Sequence, residues 1–185
     1  MKVYFMATPR GKDDFDRYYR VIYKEIEELG HTHVTDFIQK VDIDKFYLSD
    51  IRPFYKETIQ DLKRADVCVF ETSVHSLAIG HLISEAIDLA KPVIALYTGK
   101  NLPFFLSGVK EEKIQILQYN PSNIKDVLKQ GLEHASEQHD TRFNFFVSRR
   151  LSAYMDWISR KKRIPRAVYL RQLIRTEMQR KREFR

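Results

Sequence analysis

Residues 65–97, ADVCVFETSVHSLAIGHLISEAIDLAKPVIALY, constrain the fold more than any other part of the chain. Residues 67–70 form a continuous apolar run of strand length and residues 93–97 a second, the pattern of parallel strands covered on both faces. Parallel neighbours need a crossover. Between the runs Ile79, Leu82, Ile83, Ala86, Ile87 and Ala90 recur at helical spacing, and Pro92 then opens the next strand. Ligands of such a βαβ unit sit beyond the carboxyl ends of its strands, which points to residues 72–80 (TSVHSLAIG) as the site.

The flanking segments extend this unit. Residues 2–7 (KVYFMA) read as a first parallel strand followed by the polar loop TPRGKDD. Phe15, Tyr18, Tyr19, Ile22, Ile26 and Leu29 then form a helical stripe, with Asp13 and Asp14 at its positive end and Gly30 as its stop. Residues 32–35 suggest a short strand. Residues 36–53 lose the pattern and read either as a flap over the site or as a small helical excursion. A helix is expected over 54–64, a loop with a short helix after Tyr97, a last strand over 113–119, and a closing helix capped by Ser122 and running to Glu137. The order of elements predicts an α/β fold, a doubly wound, flavodoxin- or Rossmann-like parallel sheet of about five strands.

Charge divides the chain. From residue 141 onward 14 Lys and Arg face three acids, whereas residues 1–140 carry 18 basic and 22 acidic side chains. An asymmetry of this kind marks a polyanion-binding appendage on an ordinary globular domain, so the expected domains are 1–137 and 141–185. The lone Cys68 lies in an apolar strand, which excludes a disulfide framework and suggests a reducing compartment. A cytoplasmic protein without a membrane span or secretory leader is expected. No HExxH or Cys/His spacing suggests a metal, and no cofactor is implied. His75 and His81 read as polar loop residues.

The tail restarts the periodicity. Phe143, Phe145 and Val147 alternate with Arg142, Asn144 and Phe146, a strand signature. Ser148 caps a helix with Leu151, Tyr154, Met155 and Ile158 on one face, and Pro165 opens a second with Val168, Tyr169, Leu170, Leu173 and Ile174. One strand and two helices cannot close a core, so a homodimer or higher homo-oligomer is expected. RFNFFVSRRLSAYMDWISRKKRIPRAVYLRQLIRTEM resembles a ribbon-helix-helix DNA-binding domain, in which paired strands enter the major groove. The resemblance implies that Arg142, Asn144 and Phe146 face base edges and that Arg166 meets phosphate, with Lys161 and Lys162 as further backbone contacts. Arg163 and Pro165 depart from the glycine and serine usual in that family.

Residues 1 to about 135 resemble the nucleoside 2-deoxyribosyltransferase superfamily, including its deoxynucleoside monophosphate N-glycosidase branch. VYFMATPRGKDD, ELGH, ADVCVFETSVHSLAIG and KPVIALY carry the likeness. It implies that Thr8, Arg10 and Gly11 lie against base, sugar or phosphate, that Ser76, Ala78 and Gly80 form the phosphate-side loop, and that Ser107 reaches a neighbouring protomer's site. The amides at a helix amino terminus suit an anion on physical grounds as well. The family's nucleophilic glutamate, two residues after the loop glycine, falls on Leu82, and its aspartate falls on Thr58. Glu85, one turn beyond Leu82, is a candidate substitute, as are Glu57 and Asp61. The expectation is therefore a DNA-binding regulator with a catalytically degenerate nucleotide-sensing domain. The alternatives are a deoxyribosyltransferase or nucleotide N-glycosidase with an oligomerising tail, and a nucleic-acid-tethered scaffold without ligand.

Overall fold

A computed structural model describes residues 1–109, 113–137, 147–162, 164 and 166–180. The chain divides into two compact units, Met1–Asp140 and Thr141–Arg185. In the first unit β1 (Lys2–Met6), β2 (Thr32–His33), β3 (Val67–Glu71), β4 (Val93–Thr98) and β5 (Ile114–Tyr119) form one parallel sheet in the order β2-β1-β3-β4-β5. Register pairs Val3 with Val67 and Cys68 with Val93. The predicted five-stranded parallel sheet is thus present, and its strand order reverses between β1 and β3, where such sheets bind ligands.

Alternation along the strands splits the core in two. Val3, Phe5, Val67, Val69, Ile94 and Leu96 face α1 (Lys12–Glu28) and α6 (Ile124–Glu137) through Tyr19, Ile22, Ile26, Leu128 and Leu132. Tyr4, Met6, Cys68 and Phe70 face α4 (Ile51–Arg64) and α5 (Leu77–Asp88) through Leu62, Ile79, Leu82, Ile83 and Ala86. Burial in the second layer pushes the Cys68 thiol up to about 12, which makes it a small core hydrophobe and not a nucleophile.

Helix ends explain several boundaries. After α1 the His31 amide donates to the Ile26 carbonyl and the Gly30 amide to that of Glu27, with Gly30 at φ 81°, a complete Schellman stop. α5 closes in the same way: the Lys91 amide donates to Ala86 and the Ala90 amide to Ile87. Here the left-handed position, φ 58°, is held by Ala90 rather than glycine. The patternless segment proves to be a helical excursion, α2 (Phe37–Lys40) and α3 (Ile43–Leu48), the second capped by Asp42. α4 starts earlier than Phe54, because the Asp50 carboxylate caps Arg52 and Pro53 falls in the first turn, where its missing N–H is no loss. Ser122 is not the cap of α6; its own amide and that of Asn123 donate to the Asn120 side chain, and the helix begins at Ile124.

The second unit contains α7 (Arg149–Lys162) and α8 (Arg166–Arg180). The Ser148 hydroxyl accepts from the Leu151 amide, as a cap should. The Tyr154 and Tyr169 hydroxyls meet at 3.3 Å between the two helices. The strand expected over 142–147, with its inward Phe143 and Phe145 and its outward Arg142, Asn144 and Phe146, lies outside the described residues up to Phe146, as do Arg163 and Pro165.

Candidate functional site

A cleft of about 420 Å³ opens beyond the carboxyl ends of β1 and β3. Its floor comes from Met6, Ala7 and Thr8 at the end of β1 and from His75, Ser76 and Ala78 at the start of α5. The α2–α4 excursion supplies an aromatic wall: Phe37 packs on Phe54 at 4.4 Å and on Phe46 at 5.1 Å, and the Arg10 guanidinium lies 5.6 Å from the Tyr47 ring centroid. Ser76 sits in extended backbone and its hydroxyl accepts from the Ile79 amide, so the serine caps the 12-residue helix α5 while the first amides of the helix line the cleft. One end of the cavity is therefore electropositive and another is aromatic.

Beneath this loop lies a buried carboxyl that sequence reading passed over. Glu71, fully buried at the end of β3, accepts from the Ser73 amide at 3.2 Å, from the Ser73 hydroxyl, and from the Tyr119 hydroxyl at 3.2 Å, all on Oε1. The Ser73 Oγ in turn accepts from the Thr98 amide at 2.8 Å. One side chain thus ties the ends of β3, β4 and β5 under the loop. Burial raises its pKa from the ordinary value, against the opposing effect of these donors, and Oε2 has no partner. A single Glu ending an apolar run was the available signal.

No family model matches the chain. A protein of Tetraodon nigroviridis, 5-hydroxymethyl-dUMP N-hydrolase, is 26% identical over 141 residues, which is 70% of this chain and 95% of the relative. A protein of Thermofilum pendens named "Putative 2'-deoxynucleoside 5'-phosphate N-hydrolase 1" is 30% identical over 127 residues, which is 65% of this chain and 86% of the relative. The chain belongs to the 2′-deoxynucleoside 5′-phosphate N-hydrolase family. Among solved structures, the CMP N-glycosidase of Clostridium botulinum shares the fold, with a TM-score of 0.50, 16% identity, and coverage of 72% of this chain and 98% of that one. These relationships side with the nucleotide N-glycosidase alternative rather than with the DNA-binding regulator.

Within the cleft the anticipated residues separate into two groups. Thr8, Arg10, Ser76 and Ala78 line it together with Thr58 and Leu82. Gly11 does not line it: it is buried beneath, where a Cβ would stand 2.5 Å from the Tyr19 hydroxyl and 2.7 Å from Val74 Cγ2. Gly80 lines instead a separate cavity of about 660 Å³ beside Phe104 and Phe105. The exposed Ser107 donates to the Phe104 carbonyl at 2.6 Å and stands outside both cavities. Glu85 also lies outside, 3.8 Å from His81, because it stands one turn further along α5 than the stretch from the helix start that lines the cleft. His81 is a helix residue, not a loop residue, and its Nε2 lies 3.2 Å from the Tyr55 hydroxyl.

No carboxylate is among the residues lining the cleft. A smaller cavity of about 280 Å³ adjoins it, sharing Met6, Phe37, Phe54 and Thr58, and is lined by Asp36, Glu57 and Asp61. Among the described residues no cluster of His, Cys, Asp and Glu is arranged to hold a metal ion, and no helix is long and apolar enough to cross a membrane. In the second unit Lys161 lies 4.8 Å from the Trp157 ring and Lys162 5.2 Å from the Tyr169 ring, while Arg166 pairs with Asp156.

Proposed function

We propose that the N-hydrolase domain takes a nucleoside 5′-monophosphate in this cleft, with the phosphate at Arg10 and the first amides of α5 and the base against Phe37, Phe46 and Phe54. The observation that carries this reading is the convergence of a helix amino terminus and an aromatic wall on one cavity at the β1/β3 switch point. The relatives' names share that ligand class, since they denote hydrolysis or glycosidic cleavage of nucleoside monophosphates. Hydrolysis of the base–sugar bond is accordingly the first activity to test. A second reading, binding without turnover, is favoured by one feature: Leu82 and Thr58 line the cleft at the positions where the resemblance calls for carboxylates. A leucine cannot attack the anomeric carbon, so cleavage would have to use water activated from the side of Glu57.

The test is calorimetric titration of the purified protein with deoxynucleoside and ribonucleoside 5′-monophosphates, followed by chromatographic assay of free base. Saturable binding that Arg10→Ala weakens supports the cleft assignment. Base release abolished by Glu57→Gln establishes the hydrolase, and binding without release establishes the second reading. Absence of binding overturns the proposal.

For the tail, residues 141–185, the proposed role is DNA binding by a dimeric ribbon-helix-helix arrangement. Its support is the charge division and the exposed Trp157 and basic groups of α7, with Lys161 over the Trp157 ring. Affinity for duplex DNA should fall steeply with salt, and removing Lys161 and Lys162 together, four lysines per dimer, should lower the slope by about 4. A salt-independent affinity, or none, refutes it.

A further inference from the structure

The cavity that adjoins the nucleotide cleft has a different chemistry. The cleft is aromatic and cationic, whereas its neighbour holds Asp36, Glu57 and Asp61 against one cation, Lys40, which pairs with Asp36. Two of its polar groups are set deep in the wall. Asp61 is 6% exposed, one turn beyond Thr58 on α4, and its nearest cation is Arg64 at 3.4 Å. Tyr4, fully buried in β1, is among the residues that line the cavity; Thr58 is the polar neighbour of its hydroxyl, which has no partner within 3.5 Å among the described residues. A buried hydroxyl left unpaired carries a desolvation penalty that a ligand entering the cavity would relieve.

The charge determines which part of a nucleotide can enter. Carboxylates repel a phosphate, and Met6, Phe37, Phe54 and Thr58, which line both cavities, set this one against the aromatic side of the cleft where the base is placed. The three carboxyl side chains are not clustered as metal ligands. What they can receive is a hydrogen-bond donor, and on a nucleobase the strong donor is the exocyclic amine. We infer that this cavity reads the Watson–Crick edge of the base and selects amino-bearing nucleotides, with Asp61 and Tyr4 as the specificity-determining residues. The inference rests on the nucleotide reading of the cleft and adds the class of base. Burial raises the Asp61 pKa, with Arg64 opposing and Glu57 reinforcing the shift. Burial likewise raises the Tyr4 phenol, and the neighbouring Thr58 only partly offsets this, so the hydroxyl stays protonated and can donate to a ring nitrogen or carbonyl.

The matched pair dCMP and dUMP tests this, because the two differ in size by almost nothing and in donor pattern at the base edge entirely. Calorimetry on the full chain should give dCMP an advantage of about tenfold or more over dUMP, since the wrong edge leaves a buried carboxyl facing a carbonyl. Asp61→Ala should erase that ratio, and Tyr4→Phe, which keeps the packing of the ring, should reduce it. Arg10→Ala should weaken both nucleotides alike. Equal binding of dCMP and dUMP by the wild type overturns the base inference and leaves the nucleotide reading standing, as does a preference that survives both cavity substitutions. Failure of either nucleotide to bind overturns the nucleotide reading and the inference with it.

Discussion

Removing the Glu71 carboxyl should unfasten the loop under the nucleotide. In Glu71→Ala the Tyr119 hydroxyl and the Ser73 amide lose their acceptor inside the core, while the Ser73 hydroxyl can still accept from Thr98. Each orphaned buried donor costs about 1–3 kcal/mol, so two give about 4 kcal/mol and a melting point lower by about 10 °C. Glu71→Gln keeps the acceptor on one oxygen and puts an amide nitrogen where Oε2 already has no partner. That variant isolates the effect of ionisation. Because burial raises the folded-state pKa of Glu71, the stability its neutral form contributes is fully present below the ordinary carboxyl value of 4.5 and is lost as pH rises through the raised value. The melting point of E71Q should therefore gain on that of the wild type across this window and then run parallel to it. Differential scanning fluorimetry from about pH 4 to pH 9, with nucleotide titrations at each end, measures both effects. An E71A protein within 1 °C of the wild type, or an E71Q difference that does not change with pH, would refute the reasoning.

Ala90→Gly should stabilise the domain. The left-handed backbone at φ 58° costs an L-residue about 1–2 kcal/mol, more than the roughly 0.4–1 kcal/mol that glycine adds to the entropy of the unfolded chain, and Ala90 is exposed, so no packing is lost; an unchanged or lowered denaturation midpoint would contradict this. Gly11→Ala should do the opposite, because its Cβ meets Tyr19 and Val74 at under 3 Å. Overpacking of about 1–3 kcal/mol and weakened nucleotide binding are expected, since Val74 belongs to the loop that carries Ser76, and calorimetry on the variant checks both.

The sheet was legible in the sequence because its signals are local. Apolar runs at 67–70 and 93–97, the stripe of α1 and the stop at Gly30 each specify an element by period or backbone preference, whatever lies across the core. The stretch TSVHSLAIG leads into the start of α5, where Ser76 and Ala78 both line the cleft. Residues 36–53 were not legible, because short helices of four and six residues hold their shape through packing of Phe37, Phe46 and Phe54, which periodicity does not record. The resemblance put Gly11 and Gly80 into the site and spacing put Glu85 there, whereas packing places the first beneath the cleft and the others outside its lining. The contacts of Glu71 and the placing of Asp61 and Tyr4 around one cavity belong wholly to tertiary structure. Each joins groups from elements far apart in sequence, and only the folded sheet sets the distances and the burial that give those carboxyls their chemistry.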